Sequence, residues 1–382
     1  MQTSIKYLSL GIMLFSMLSC NYKSKEKKPT EKQEQIGQET IELLVGTYTD
    51  KSSKGIYRVL FNPVNGTLDN MELVADAASP SYLDISRDRQ FVYAINEKDP
   101  GMVASYKWNK DRTELIVINK GSTEGVGPCF VEVNNSGNLL AIANYSSGNM
   151  AVYTVENGKI GENPETRQHV GSSIIKANQN APHAHSSKFG KDGNYVYVAD
   201  LGIDELVSYS VSEEGKLGEK QIALAMDKGD GPRHFVFHPT KDLVFIINEL
   251  SSTVTSAKVD RTTGIFEKID KKSTLPKDYT EKSYCADIQI SSDGKFLYAS
   301  NRGHNSIAVF SVSEDGILQV LTTTSVEGDW PRNFTISPKE NYLLVANQKS
   351  DNITVFKRDQ KTGLLTFTGN EVKLSMPVCL KF

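Results

Sequence analysis

Three features of the 382-residue chain predict an all-β fold, a seven-bladed β-propeller with four antiparallel strands per blade. A strand–turn–strand pattern recurs about every fifty residues. Each copy runs on into two further short apolar stretches, which makes four strands per unit. The last copy is divided between the chain ends, so the N-terminal strands share a blade with the C-terminal strand and close the ring.

The elements follow in order. MQTSIKYLSLGIMLFSMLSC has an apolar core from Tyr7 to Leu18 and ends in Ser19-Cys20. That core is too short for a membrane span and fits a secretory leader. A small residue before Cys resembles a bacterial lipoprotein signal, which makes Cys20 the expected lipidation site and 1–20 the signal peptide. Residues 21–40 carry many charges of both signs and almost nothing apolar, so they read as a solvated tether. The expected location is outside the cytoplasm, lipid-anchored to a bacterial membrane, periplasmic or at the cell surface. The membrane is met only through that anchor.

Residues 41–382 form the propeller. IELLVGTYTDKSSKGIYRVLF (41–61) supplies the later strands of one blade, and PVCLKF from Pro377 supplies its first. Between them stand PSYLDISRDRQFVYAIN from Pro80, PCFVEVNNSGNLLAIAN from Pro128 and HAHSSKFGKDGNYVYVAD from His183. PRHFVFHPTKDLVFIIN from Pro232, CADIQISSDGKFLYASN from Cys285 and PRNFTISPKENYLLVAN from Pro331 complete the set. Each is an apolar run, a polar turn, a second apolar run and a closing Asn or Asp. Two stacked sandwiches would not keep this register. The closing Asn residues are read as backbone-bonding turn residues. A closed ring needs no second copy, and a monomer is expected.

Bulk properties narrow the function. A net charge of −3 gives no general affinity for nucleic acid. Cys129, Cys285 and Cys379 show no paired spacing and are expected buried and unpaired. No cofactor motif and no G-x-S-x-G nucleophile motif is present, and the spacing of His183, His185 and Glu249 does not support a metal site.

The repeat serves as an internal alignment. The start of each first strand forms one ring: Ser81, Cys129, His185, Arg233, Ala286, Arg332 and Val378. The residue after each closing Asn or Asp forms a second: Tyr48, Glu97, Tyr145, Leu201, Glu249, Arg302 and Gln348. Both rings belong at one mouth of the central channel, because paired antiparallel strands bring these positions together. Arg233 and Glu249 are therefore expected to meet there. His183, His234 and His304 lie close by in sequence. Opposite charges and imidazoles at a channel mouth suit a small anionic ligand. Arg302 or Arg332 is also a candidate ion-pair partner for Glu97 or Glu249. His238 and Asp242 are expected solvated at the opposite end, and His169 is an inter-blade residue without a role.

NAPHAHSSKFGKDGNYVYVADLG, GDGPRHFVFHPTKDLVFIINELSSTV, SNRGHNSIAVF and VANQKSDNITVF resemble the seven-bladed propeller lactonases. That family includes the bacterial propeller-type 6-phosphogluconolactonase, with fungal carboxy-muconate cyclases as distant relatives. The resemblance covers about residues 41–382. It implies hydrolysis of a small anionic or sugar lactone, with His185, Arg233 and Glu249 catalytic. Glu249 or His185 would activate water and Arg233 would face the oxyanion. His183, Arg302, Arg332, Gln348, Tyr145 and Glu97 are the expected substrate contacts. Phosphorylated sugars belong to the cytoplasm, which conflicts with export and leaves the substrate open. Two other readings stand beside this one: an exported, non-enzymatic propeller that binds a glycan or protein, and a lactone-forming isomerase.

Overall fold

A computed structural model describes residues 40–382. The leader, the tether and Cys20 lie outside the described residues. The chain forms seven antiparallel sheets, each with its first strand at one edge. We number the blades by these strands: Leu83–Ile85, Pro128–Val133, Ala184–Phe189, Pro232–Phe237, Tyr284–Ile290, Pro331–Ile336 and Pro377–Lys381. Blade 7 is the composite expected from the sequence. Its strands Ile41–Thr47, Gly55–Phe61 and Leu68–Asp76 continue from Pro377–Lys381, with Val45 opposite Leu380. Blade 2 departs from the four-strand plan: Lys159–Ile160 and Glu165–Gln168 share the place of its outer strand. Among the described residues no helix is long and apolar enough to cross a membrane.

Burial explains the strand sequences. Second strands face apolar neighbours on both sides, so they read as continuous runs such as Leu243–Asn248, which is buried throughout. Outer strands such as Ile265–Ser273 have one wet face and are largely polar. The three cysteines at 129, 285 and 379 are buried and unpaired.

The closing Asn and Asp residues do more than bond backbone. Asn144 donates Nδ2 to Thr123 O at 2.8 Å, as read from the sequence. Asn248 instead donates to the hydroxyls of Thr253 and Thr255, and Asn347 to that of Thr354. These last contacts tie the second strand to the third.

Two histidine expectations need correction. His238 is buried rather than solvated; its Nδ1 accepts the Thr240 and Lys241 N–H groups. Its ring fits because blade 5 places Gly294 against it, where a Cβ would come within 2.1 Å of Nε2. His169 is also buried, with Nδ1 2.6 Å from Asp200 Oδ2, and it anchors the blade 2–3 connection. Asp242 stays exposed and pairs with Arg261.

A β-bulge recurs at the start of every first strand. In blade 4 Pro232 opposes Asn248 and His234 opposes Ile247, which leaves Arg233 as the extra residue. The same irregularity isolates Cys129, His185, Arg332 and Val378. In blade 5 it falls at Ala286–Asp287. In blade 1, hydrogen bonds Glu97 N to Ser79 O and Ile95 N to Tyr82 O bracket Ser81. A bulge breaks the alternation of facing and re-aims side chains. Consecutive residues such as Ser81 and Tyr82, Arg233 and His234, and Arg332 and Asn333 therefore line one interior chamber of about 10 Å³, the room of a single water.

Candidate active site

The turn before blade 4 sets the central pair. Gly231 has φ of +62°, and a Cβ there would come within 2.6 Å of Leu250. Its carbonyl accepts the Glu249 N–H at 2.7 Å. This holds the end of the second strand beside the bulged Arg233. Neighbouring blades fix the arginine further: Ser186 Oγ donates to its carbonyl at 2.7 Å, and its Nη1 donates to Ala286 O at 2.6 Å.

Glu249 is the hub. Its Oε2 lies 2.9 Å from Arg233 Nε and 2.9 Å from Arg302 Nη2. Arg302 also donates Nη2 to Cys285 O at 2.7 Å. Burial pushes the Glu249 carboxyl up, but the guanidiniums of Arg302, Arg233 and Arg332 outweigh it and hold the pKa below the usual value. Burial and the neighbouring Arg302 lower Arg233 to about 10, so it stays charged at neutral pH.

Arg332 differs from the other two. Among the described residues its guanidinium has no ion pair within 4.0 Å and no hydrogen-bond partner; it lies over the Tyr48 ring at 5.3 Å. Tyr48, Glu97 and Glu249 hold its pKa above the ordinary value, against the opposing effect of burial. Glu97 is engaged elsewhere, by the Tyr48 hydroxyl at 2.8 Å and by Ser81 Oγ. The ion pair expected for one of the two arginines thus belongs to Arg302 and Glu249, and Arg332 is left over.

The imidazoles divide into two groups. His185 is buried between Cys129, Tyr145 and His234. Burial, then the charge of Arg233, pushes its pKa well below 6.5, so the ring is neutral. No protein group among those described bonds its Nε2. His183 stacks on Tyr145 at 4.4 Å, and its Nδ1 lies 2.8 Å from Tyr145 O. His304 sits further out, with Ser306 Oγ and the Tyr279 ring as neighbours.

His234 begins a relay. Its Nε2 lies 3.2 Å from Arg233 Nη1 and its Nδ1 lies 2.8 Å from Asp287 Oδ1. Asp287 Oδ2 accepts from Asn333 Nδ2 at 2.6 Å, and Asn333 Oδ1 accepts the Leu380 N–H at 2.7 Å. Burial, then Arg233, keeps His234 neutral at ordinary pH. The only arrangement that gives every contact a donor is Nδ1–H toward Asp287 with Nε2 accepting from Arg233. Asp287 and Asn333 were not singled out in the sequence.

The rim adds two features. Gln348 has a buried Oε1 with no hydrogen-bond partner, an acceptor available to a hydroxyl donor. Trp330, which sequence reasoning missed, has φ of +66° and carries Arg302 at 5.5 Å and Lys349 at 3.3 Å over its ring. Only its place immediately before PRNF could have pointed to it. Among the described residues no group of three or more His, Cys, Asp or Glu converges in a metal-holding cluster. The site can bind an anion, orient hydroxyl groups and take up a proton.

Comparison with known proteins agrees with this architecture. The family described as "Lactonase, 7-bladed beta-propeller" matches residues 42–382. A 6-phosphogluconolactonase of Bacillus subtilis is 36% identical over 341 residues, covering 88% of this chain and 97% of the relative. A 6-phosphogluconolactonase of Formosa agariphila is 36% identical over 85% of this chain and 94% of its own. The solved structure of a periplasmic gluconolactonase from Pseudomonas aeruginosa has a TM-score of 0.85 at 30% identity, covering 90% of this chain and 99% of that one. The chain belongs to the seven-bladed β-propeller lactonase family.

Proposed function

We propose that the protein hydrolyses a sugar lactone of the 6-phosphogluconolactone type at the Arg233 mouth. The observation that carries this reading is the unpartnered guanidinium of Arg332. Three arginines face two carboxylates there, so the mouth keeps one cation for the substrate. Arg332 binds the substrate's phosphate or carboxylate, and Gln348 accepts from a ring hydroxyl. His183, Tyr145 and Glu97 complete the wall.

His185 is the base. Glu249 is occupied by two ion pairs, whereas His185 is neutral and no described protein group bonds its Nε2, which carries the lone pair when Nδ1–H points to Cys129 Sγ. Water attacks the lactone carbonyl carbon and gives its proton to His185. Arg233 stabilises the tetrahedral oxyanion. The ring C–O bond then breaks, and the leaving oxygen takes the proton back from His185 to give the hydroxy acid. Glu249 holds Arg233 and Arg302 in place.

The mature chain is exported and tethered through Cys20, in keeping with the periplasmic gluconolactonase among its structural neighbours. Outside the cytoplasm a carboxylated lactone, with its carboxylate at Arg332 in the place of the phosphate, is the expected substrate. The test is acid release from 6-phosphogluconolactone, gluconolactone and a uronic lactone by the full-length protein and its Arg233→Ala variant. Turnover above buffer that the substitution removes supports the assignment, and the three rates rank the substrates. Equal rates with and without folded protein would overturn it.

A further inference from the structure

The channel opens a second time, on the opposite face, into a cavity of about 340 Å³. That is the scale of a small-molecule site. Tyr82, His234 and Asn333 line both this cavity and the one-water chamber beneath the Arg233 mouth. Tyr82 stacks on Phe130 at 4.3 Å, and His234 meets both rings edge-on. This aromatic cluster separates the two mouths.

One register position of the seven first strands runs around this mouth, with Asp84, Glu132, Lys188, Val236, Gln289, Thr335 and Lys381, and the last five of these line the cavity. A count of donors and acceptors decides what it can bind. The acceptors are committed to the next blade. Asp84 Oδ2 takes the Val133 N–H at 2.9 Å, Glu132 Oε2 takes Phe189 N–H at 2.7 Å, and Gln289 Oε1 takes Ile336 N–H at 3.2 Å. The Gln289 amide donor goes to Phe334 O.

Donors remain. Lys188 Nζ has one carboxylate contact, Glu132 at 3.4 Å, and Lys381 Nζ has one, Asp84 at 3.4 Å. An ammonium carries three N–H groups, so each lysine keeps capacity to spare. Thr335 Oγ1 lines the cavity and has no hydrogen-bond partner among the described residues.

We propose that this far mouth binds a small organic oxyanion, a carboxylate or phosphate on a monosaccharide-sized body, through Lys188, Lys381 and Thr335. Tyr82 and Phe130 lie under its apolar face. Asp84 and Glu132 offset the two lysines, and Asp287, whose oxygens are taken by His234 and Asn333, adds a third carboxylate, so attraction rests on direct contact with the lysines and weakens with salt. The site is independent of the lactonase reading.

The test is calorimetric titration of the full-length protein with citrate and, separately, with inorganic phosphate. Saturable binding is expected for at least one probe, and which one binds distinguishes carboxylate from phosphate. Lys381→Met and Thr335→Val should each weaken it about tenfold, equivalent to about 1.4 kcal/mol. Thr335→Val changes no charge and guards against a lysine variant that fails to fold. Arg332→Ala, at the other mouth, should leave this binding unchanged. No saturable binding of either probe, or binding lost in Arg332→Ala and kept in the far-mouth variants, overturns the proposal whether or not lactones are hydrolysed.

Discussion

Arg233 Nε lies 2.9 Å from Glu249 Oε2, across the first hairpin of blade 4. Arg233 is almost wholly buried and Glu249 mostly so, and Glu249 serves Arg302 at the same distance. Removing one member of a buried ion pair leaves an uncompensated charge, typically at a cost of about 3–5 kcal/mol. Glu249→Gln should therefore lower thermal stability by about that amount as well as activity. Thermal melting beside the Glu249→Asp variant checks this. A melting temperature equal to wild type would show that the carboxylate balances nothing.

The same pair sets a pH dependence. The Glu249 carboxyl titrates below its usual value in the folded protein, so its contribution to stability is present above that usual value. It is lost as pH falls through the lower, folded pKa. Wild type should thus lose stability on acidification more steeply than Glu249→Gln, with the two curves converging at low pH. Parallel acid limbs would contradict this.

Arg332 should behave in the opposite way. It has no ion pair and no hydrogen bond, only the Tyr48 ring beneath it, so Arg332→Ala should cost about 0.5–2 kcal/mol of stability, the worth of one cation–π contact and less than Glu249→Gln. The loss should appear in substrate handling. KM for a phosphorylated or carboxylated lactone should rise about 10–100-fold, as for a lost charge-assisted contact. KM for an uncharged lactone should barely move. Steady-state kinetics on a matched pair of substrates decides it.

The His234 relay gives a prediction about orientation. Asp287→Asn leaves one acceptor oxygen where two donors, His234 Nδ1–H and Asn333 Nδ2–H, converge. The ring can answer by moving its proton to Nε2, where it would face the Arg233 N–H. Arg233 then loses its anchor. We expect kcat to fall about tenfold or more with KM little changed, a cost of about 1.4 kcal/mol per tenfold in the transition state. An unchanged kcat with a lower melting temperature would reduce Asp287 to a structural role.

The sequence exposed the ring plan and the mouth column because blades repeat, so position alone aligned Arg233 with His185 and Arg332. It concealed Asp287 and Asn333 for a physical reason. Strand alternation turns the residue after the ring column away from the channel, and the bulge reverses that. Periodicity does not report a bulge. Trp330 occupies the positive-φ position two residues before the mouth ring, as Ser79, Gly127, Gly231 and Met376 do, but the side chain there differs in every one of these blades except the two glycines, so the column did not mark it. His238 was misplaced because its burial depends on Gly294, a residue of the next blade. Arg302 and Arg332 looked equivalent, and only side-chain geometry told the paired arginine from the free one.

The measurement that bears most directly on the mouth as a lactonase site is kcat for wild type and His185→Asn, across pH, on whichever lactone turns over fastest. Loss of the base should lower kcat by about 10²–10⁴-fold while the protein stays folded and substrate still binds. Undiminished turnover in His185→Asn would contradict the assignment of His185 and return the role of base to Glu249.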